Sequence, residues 1–193
     1  MYRRLTIRRG VLIAFAVLLS VIALIGAYSV ATILNDNFHE VVAGELYRSA
    51  QPGGEALASI KARTGIRTII NLRGANPKAA WYQAEVQESA RLGITLVDFR
   101  MKASRGLTME QATALIRVMQ KAEKPILIHC QSGIDRTGLA SALYLAAIGK
   151  VGEEAAEDQL SIRYGHLSLP VLSGFAMDRT FELMEPSLGF SDS

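Results

Sequence analysis

Cys130 and Arg136 lie in one segment of polar and small residues that joins two apolar runs of the sequence. The run before it, Pro125 to His129, predicts a short buried strand, and the run after it predicts a helix. A helix N-terminus and the backbone N–H groups of a tight loop attract anions, and Arg136 adds a full positive charge. These surroundings favour a thiolate and also suit phosphate oxygens, which arginine binds in bidentate fashion. Because Gly133 lets the backbone bend around an anion, the segment predicts attack by sulfur on phosphorus.

The elements that must position this segment alternate between strand and helix patterns. Alternation of this kind predicts an α/β fold, here a single domain with a central, largely parallel sheet flanked by helices. Ligands of such sheets bind at the carboxyl ends of the strands, which is where Cys130 is expected. The predicted strands cover residues 41–49, 66–72, 94–99 and 125–129, and the predicted helices cover 55–64, 78–92, 108–123, 137–148 and 153–164.

The ten residues from His129 to Gly138, HCQSGIDRTG, resemble the signature of the protein tyrosine phosphatase superfamily: a cysteine, five residues and an arginine, with histidine before and threonine-glycine after. The small domain is most similar to the compact dual-specificity branch. The segments LYRSAQP, at 46–52, and IINLR, at 69–73, also resemble parts of small microbial and plant phosphatases of that branch. The resemblance covers most of residues 42–166.

This resemblance implies a phosphoric monoester hydrolase that needs neither a metal nor a cofactor. Cys130 attacks phosphorus to form a phosphocysteine, which water then hydrolyses, while Arg136 binds the phosphoryl oxygens. Thr137 helps the thiolate depart, and His129 orders the loop. The residues expected to bind substrate are Gln131, Ser132, Gly133, Ile134 and Thr137.

Two aspartates are candidates for the general acid that protonates the leaving group. Asp98 lies in the region where the superfamily usually supplies this acid, but at a predicted strand end before a basic loop. Asp135 directly precedes Arg136, as in myotubularins and some atypical bacterial phosphatases, and is the favoured candidate. Tyr164-Gly165-His166 is either a substrate contact or a capping turn. Five basic residues are either a rim of the pocket that favours polyanionic substrates or ordinary solvated charges: Arg48, Arg73, Arg100, Lys102 and Arg105.

Residues 11–34 contain no charged side chain. Twenty-four residues of helix span about 36 Å, and a hydrocarbon core is about 30 Å thick. The run therefore predicts a transmembrane signal anchor, with a cleavable signal peptide as the competing interpretation. Four arginines precede it, while Asp36 and Glu40 follow it. The positive-inside tendency predicts a single-pass membrane protein with its catalytic domain on the non-cytoplasmic side, the periplasm in a bacterium.

The predicted domain organisation follows from these patterns. A basic N-terminal segment covers 1–10, the transmembrane helix 11–34 and a linker 35–41. The phosphatase domain covers 42–182 and a tail 183–193. The single cysteine excludes an intramolecular disulfide.

The charge of the chain excludes one class of partner. The formal net charge is +3, and the four arginines before residue 35 leave the remainder close to neutral. A near-neutral domain has no electrostatic footprint for nucleic acid. The default substrate is a protein phosphorylated on tyrosine, serine or threonine, and a small phosphate ester such as a phospholipid or inositol phosphate is the alternative. Two other classes stay open on the residues alone: a rhodanese-like sulfurtransferase and a non-catalytic phosphate-binding module.

Overall fold

The computed structural model describes residues 13, 15–20, 23 and 36–190. The chain divides after Asn35 into two units, and the fold below is that of the second. Its sheet has five strands in the order β1-β2-β5-β3-β4. The strands are β1 (His39–Val42), β2 (Leu46–Ser49), β3 (Thr68–Asn71), β4 (Thr95–Asp98) and β5 (Ile126–His129).

The sheet is mostly parallel, as the alternating sequence pattern predicts. Only β1 pairs antiparallel, with β2, while β2, β5, β3 and β4 run parallel to their neighbours. The register places Ser49, His129, Asn71 and Asp98 in one row at the carboxyl ends of these four strands. The residues that directly follow the four strands therefore meet at one edge of the sheet.

Helices cover both faces of the sheet. Side chains alternate along the buried strands, so that Ile69 and Leu127 enter one apolar cluster and Ile70 and Ile128 enter the other. The helices are α1 (Gly54–Thr64), α2 (Ala80–Arg91), α3 (Met109–Lys121), α4 (Asp135–Tyr144), α5 (Glu153–Glu157) and α6 (Ala176–Leu188). Helix α4 is buried from Thr137 to Tyr144 because it packs against β5 on one side and against α3 and α6 on the other.

Local sequence signals explain several element boundaries. Helix α3 begins at a capping box, in which the Thr108 side chain accepts from the Gln111 N–H and the Gln111 side chain accepts from the Thr108 N–H. Helix α1 ends at Gly65, which has a φ of +69°. The left-handed conformation at this position favours glycine over residues that carry a Cβ.

The structure corrects the elements at both ends of the domain. The single strand predicted over 41–49 is a hairpin of β1 and β2, with Gly44 in the left-handed region of its turn. Strand β1 begins at His39, inside the predicted linker, and α6 continues to Leu188, inside the predicted tail. The helix predicted over 153–164 is only α5 followed by 3₁₀ turns. Helix α6 escaped prediction, although its buried Met184 belongs to the core.

The predicted transmembrane helix over 11–34 falls mostly outside the described residues. Of that segment, residues 13, 15–20 and 23 are described and are helical. Within the part of the chain that is described, no helix has the length and apolarity to cross a membrane. This finding contradicts the predicted single-pass localisation with a catalytic domain on the non-cytoplasmic side.

Candidate active site

Cys130 is the first residue after β5, at the edge where the carboxyl ends of the parallel strands meet. Its side chain is free and almost completely buried. Residues 131–134 form a tight loop, and α4 begins directly afterwards at Asp135. The structure therefore has the strand, loop and helix that the sequence predicts, with the N-terminus of α4 facing back along the loop. We call residues 130–136 the anion loop.

Arg48 holds the anion loop from the inside of the protein. Its Nη2 donates to the carbonyl oxygens of Gly133 at 2.9 Å and Ile134 at 3.3 Å, and its Nη1 donates to the backbone and side-chain oxygens of Gln159. The guanidinium carbon lies 3.9 Å from the centre of the Tyr164 ring. Burial lowers the pKa of Arg48 to about 10, so the group stays cationic at neutral pH. Arg48 is fully buried and does not line a pocket rim.

Two further contacts bind carbonyl oxygens of the same loop. The Asn37 side-chain Nδ2 donates to the carbonyl oxygens of Ser132 at 3.3 Å and Gly133 at 3.2 Å. The backbone N–H of Gln51 donates to the carbonyl oxygen of Gln131 at 3.2 Å. The carbonyls of residues 131–134 are thus turned towards Arg48, Asn37 and Gln51. Since the C=O and N–H of a trans peptide point in opposite directions, the N–H groups of residues 132–135 face away from these partners.

Gly133 packs tightly against the backbone at the end of β2. Its φ is +71°, and a Cβ built there would lie 2.6 Å from the carbonyl carbon of Ser49 and 2.6 Å from the nitrogen of Ala50. Both are backbone atoms, so no side chain can move away to make room. Glycine is therefore required for conformation and for space.

Arg136 and Thr137 carry buried polar atoms without partners. The Nη1 of Arg136 donates to the carbonyl oxygen of Met101 at 3.3 Å. Its Nε is buried and has no hydrogen-bond partner among the described residues, and the same holds for the Oγ1 of Thr137. A buried donor without a partner is costly, which makes both atoms candidates to bind a ligand oxygen or the Cys130 sulfur.

His129 is fully buried and orders the start of the anion loop. Its Nδ1 lies 3.2 Å from the carbonyl oxygen of Cys130, and its Nε2 lies 2.7 Å from Oε1 of Glu85 on α2. Glu85 is itself buried, and its Oε1 also accepts from the side chain of Gln51 at 2.9 Å. These contacts fit the loop-ordering role that the resemblance implies for His129, which stays a prediction.

Arg73 follows β3 and reaches the same network. Its Nη1 donates to Oε1 of Gln51 at 3.2 Å, and its guanidinium carbon lies 3.5 Å from the centre of the Trp81 ring. Partial burial lowers the pKa of Arg73, and the charge of Arg136 lowers it further, whereas Glu85 and Cys130 act in the opposite direction. The pKa of Arg73 therefore depends on the charges of two residues of the anion loop, Arg136 and Cys130.

The two candidate acids have different surroundings. Asp98 lies at the end of β4, where Oδ1 accepts from the Asn71 side chain at 2.8 Å and Oδ2 accepts from the Tyr82 hydroxyl. This bond to Asp98 raises the pKa of Tyr82 to about 12. Asp135 lies in the first turn of α4, with its Oδ1 only 2.8 Å from Nδ1 of His166. Its side chain is 29% exposed, so it reaches the surface at the mouth of the anion loop.

The segment between β4 and α3 contains no acidic residue after Asp98. Arg100, Lys102 and Arg105 are exposed on it, while Met101 is buried and contacts Arg136 through its carbonyl. Of the five basic residues considered as a rim, Arg48 is excluded by burial. Arg73 is partly buried and the other three are at the surface.

Sequence reasoning missed Asn37, Glu85, Asp178 and the buried position of Arg48. Asn37 and Arg48 are 96 and 85 residues from Gly133, and polar residues so distant give no local pattern. The only signal in the sequence was the likeness of LYRSAQP to phosphatase segments.

The family model PTP-NADK, described as "DSP-PTPase phosphatase fused to NAD+ Kinase", matches residues 21–166. The dual specificity protein phosphatase TpbA of Pseudomonas aeruginosa (strain UCBPP-PA14) is 28% identical over 117 residues, which are 60% of this chain and 49% of TpbA. The chain thus spans about half the length of this curated relative.

Solved structures share the fold. A crystal structure of P. aeruginosa TpbA in complex with pTyr has a TM-score of 0.61 at 21% identity and covers 82% of this chain and 92% of that one. The PP-IP phosphatase SIW14 from S. cerevisiae has a TM-score of 0.58 at 21% identity, covering 81% and 94%. PTPMT1 in complex with PI(5)P has a TM-score of 0.56 at 14% identity, covering 79% and 99%. The family match and the shared fold confirm the predicted resemblance: the chain belongs to the DSP-PTPase phosphatases of the PTP-NADK family.

Proposed function

We propose that this protein hydrolyses phosphate monoesters through a phosphocysteine, with Cys130 as the nucleophile and Arg136 as the phosphate ligand. The observation that carries the proposal is the orientation of the anion loop. Its carbonyls are bound from inside by Arg48, Asn37 and Gln51, so that its N–H groups point the other way, where they can bind phosphate oxygens. On this proposal Gln131, Ser132, Gly133 and Ile134 bind substrate through their backbone.

The reaction has two balanced steps. In the first, the Cys130 thiolate attacks phosphorus, an S–P bond forms, and the P–O bond to the leaving group breaks. The leaving oxygen takes a proton from Asp135. In the second, water attacks phosphorus, the S–P bond breaks, and Asp135 takes a proton from that water. The buried donors of Arg136 and Thr137, which have no partner in the described part of the chain, support their roles as ligands of the phosphoryl oxygens and of the departing thiolate.

Asp135 is the better candidate for the acid because one of its oxygens remains available. Both carboxylate oxygens of Asp98 accept hydrogen bonds, from Asn71 and Tyr82. In Asp135 only Oδ1 is bound, to His166, within the described residues. General acid catalysis typically contributes about 10²–10⁴-fold, so loss of the true acid is easily measured.

Phosphorylated protein is the default substrate class, supported by the TpbA complex with pTyr. A phospholipid or inositol phosphate is the second candidate. It is supported by the fold shared with SIW14 and PTPMT1 and by the exposed cations Arg100, Lys102 and Arg105. Both classes present a phosphate monoester to the same loop and differ in what surrounds it. Family membership disfavours the sulfurtransferase and the non-catalytic module.

The test is release of inorganic phosphate from para-nitrophenyl phosphate by the purified chain. Cys130→Ser is expected to abolish release and Arg136→Lys to reduce it strongly, whereas the exposed Arg67→Lys serves as the matched control. Mass spectrometry of quenched reactions is expected to detect a phosphoryl group on Cys130. Wild-type activity in Cys130→Ser would refute the mechanism.

Two further assays test the identity of the acid and the substrate class. The first compares the pH–rate profiles of Asp135→Asn and Asp98→Asn. The acid is the aspartate whose replacement by asparagine removes the basic limb of the profile. Phosphopeptides and phosphoinositides, compared by kcat/KM in wild type, identify the substrate class. Exclusive activity on phosphotyrosine peptides would overturn the lipid and inositol phosphate alternative.

A further inference from the structure

His166 lies between two carboxylates at the mouth of the anion loop. Its side chain is fully buried, with Nδ1 lying 2.8 Å from Oδ1 of Asp135 and Nε2 lying 2.9 Å from Oδ2 of Asp178. The other oxygen of Asp178 accepts from the Ser168 hydroxyl at 2.6 Å. The three elements that meet here are α4, α6 and the segment 165–172, which joins the 3₁₀ turns Ile162–Tyr164 and Ser173–Phe175.

The carboxyl group of Asp135 is also confined on a second side. A Cβ at Gly174 would lie 2.7 Å from its Oδ1 and 2.9 Å from its Cγ, so the backbone of residue 174 packs against the carboxyl. With the His166 ring bonded to Oδ1, few orientations remain for this side chain. Such confinement is what a proton donor needs, because a misplacement of 1 Å costs on the order of 100-fold in rate.

The charge of the ring follows from its partners. An ionised carboxylate only accepts hydrogen bonds, so a protonated His166 can donate to both neighbours. In the neutral ring one nitrogen carries a lone pair, which would face a carboxylate oxygen without a hydrogen bond. Burial works against the charge, but the hydrogen bonds and charges of Asp135 and Asp178 outweigh it and raise the pKa of His166. Burial raises the pKa of Glu157 on α5, and the charges of Glu153 and Asp178 raise it further, so Asp178 has an acidic neighbour on that helix.

We infer that His166 is a positioning residue for proton transfer by Asp135, and that Asp178 anchors it. The inference rests on the proposed function, in which Asp135 is the general acid. The imidazolium holds Oδ1, so that Oδ2 presents the proton to the leaving oxygen. After that transfer the same cation stabilises the new carboxylate, which later takes a proton from the attacking water. His166 keeps both of its protons throughout.

The test compares two leaving groups in the full chain. Para-nitrophenolate leaves with little need of a proton, whereas phenolate needs one. His166→Asn and Asp178→Asn are expected to lower kcat/KM for phenyl phosphate by about 10- to 100-fold, within what general acid catalysis contributes. With para-nitrophenyl phosphate kcat/KM is expected to fall less than about threefold, because kcat/KM reports the step in which the leaving group departs and not the later hydrolysis of the phosphocysteine.

The titration of the His166 ring, followed by NMR, provides the second readout. Asp178→Asn removes one of the two carboxylates that raise the pKa of His166, so the ring is expected to lose its proton at a lower pH than in wild type. Glu182→Gln, an exposed change on the same helix, is the matched control and leaves both readouts at wild type. Thermal unfolding checks that each variant is folded. If His166→Asn does not fold, Asp178→Asn alone carries the test.

The outcomes separate the inference from the function on which it rests. If wild type releases no phosphate from either substrate, the proposed function fails. If wild type is active but both variants slow the two substrates equally, or leave the ratio of the two rates unchanged, the inference fails. An unchanged ratio is also the result expected if Asp98 is the acid.

Discussion

Gly133→Ala tests whether the anion loop depends on its close approach to β2. The substitution forces alanine into a φ of +71° and places a Cβ 2.6 Å from two backbone atoms of Ser49 and Ala50. The left-handed conformation costs about 1–2 kcal/mol, and overpacking against atoms that cannot rotate away costs about 1–3 kcal/mol. The free energy of unfolding is therefore expected to fall by about 2–5 kcal/mol, out of about 5–15 kcal/mol for an ordinary domain.

Gly65→Ala separates the two contributions. Gly65 has nearly the same φ, +69°, but no atom lies within 4 Å of the Cβ that alanine would add. Gly65→Ala is therefore expected to lower the free energy of unfolding only through the strained φ. The loss is about 1 kcal/mol, because alanine also makes the unfolded chain stiffer. The difference between the two variants in urea unfolding measures the clash at Gly133. Because the clash also displaces the loop, kcat/KM for para-nitrophenyl phosphate is expected to fall about 100-fold in Gly133→Ala and to stay unchanged in Gly65→Ala.

Equal losses of stability in the two variants would refute the close approach. So would full activity in Gly133→Ala, since the anion loop cannot accept a Cβ and keep both its shape and its contact with Ser49. Circular dichroism of both proteins, recorded before unfolding, ensures that the comparison is made between folded chains.

Three further predictions concern the surroundings of the site. Arg48→Met removes the arginine that donates to both oxygens of Gln159 and takes one of two donors from the carbonyl oxygen of Gly133, and it is expected to lower the free energy of unfolding by about 2–4 kcal/mol in urea. His166 has a raised pKa in the folded state, so its ionic contribution to stability is fully present below about pH 6.5 and is lost as the pH rises through the folded value. The stability difference between wild type and His166→Asn is therefore expected to shrink with increasing pH, and a constant difference contradicts it. Arg67→Ala removes an ion pair with Glu123 whose side chains are 58% and 62% exposed, and unfolding is expected to change by less than about 0.5 kcal/mol.

The parts of the site that could be predicted are contiguous in sequence. Cys130 and Arg136 lie six residues apart in one strand–loop–helix segment, so composition and spacing were sufficient to identify the anion loop. The same holds for α3, where the capping residues Thr108 and Gln111 lie within one turn. In both cases the residues that give the sequence signal are the residues that form the structural feature.

The parts that escaped prediction depend on strand order. Arg48 lies beside the anion loop because β2 is the neighbour of β5 in the sheet, and no pattern within one segment encodes that order. A lone arginine in a sequence is expected at the surface, since burial of its charge is costly without partners. Here the partners are carbonyl oxygens of residues 133, 134 and 159, which carry no sequence signature. His166 was missed as a buried group for the same reason.

The charges around Cys130 indicate which anions the site distinguishes. Arg48 and Arg73 both have pKa values that respond to the charge of the cysteine, and Arg73 is repelled by Arg136. Within the described network the buried carboxylate of Glu85 is already shared between His129 and Gln51, so it does not neutralise these cations fully. A phosphate monoester dianion brings two negative charges to them, whereas a diester brings one. Because the Coulomb energy scales with the product of the charges, the repulsion between the guanidinium groups is offset more completely by the monoester, and we expect the site to favour it through charge as well as through the shape of the loop.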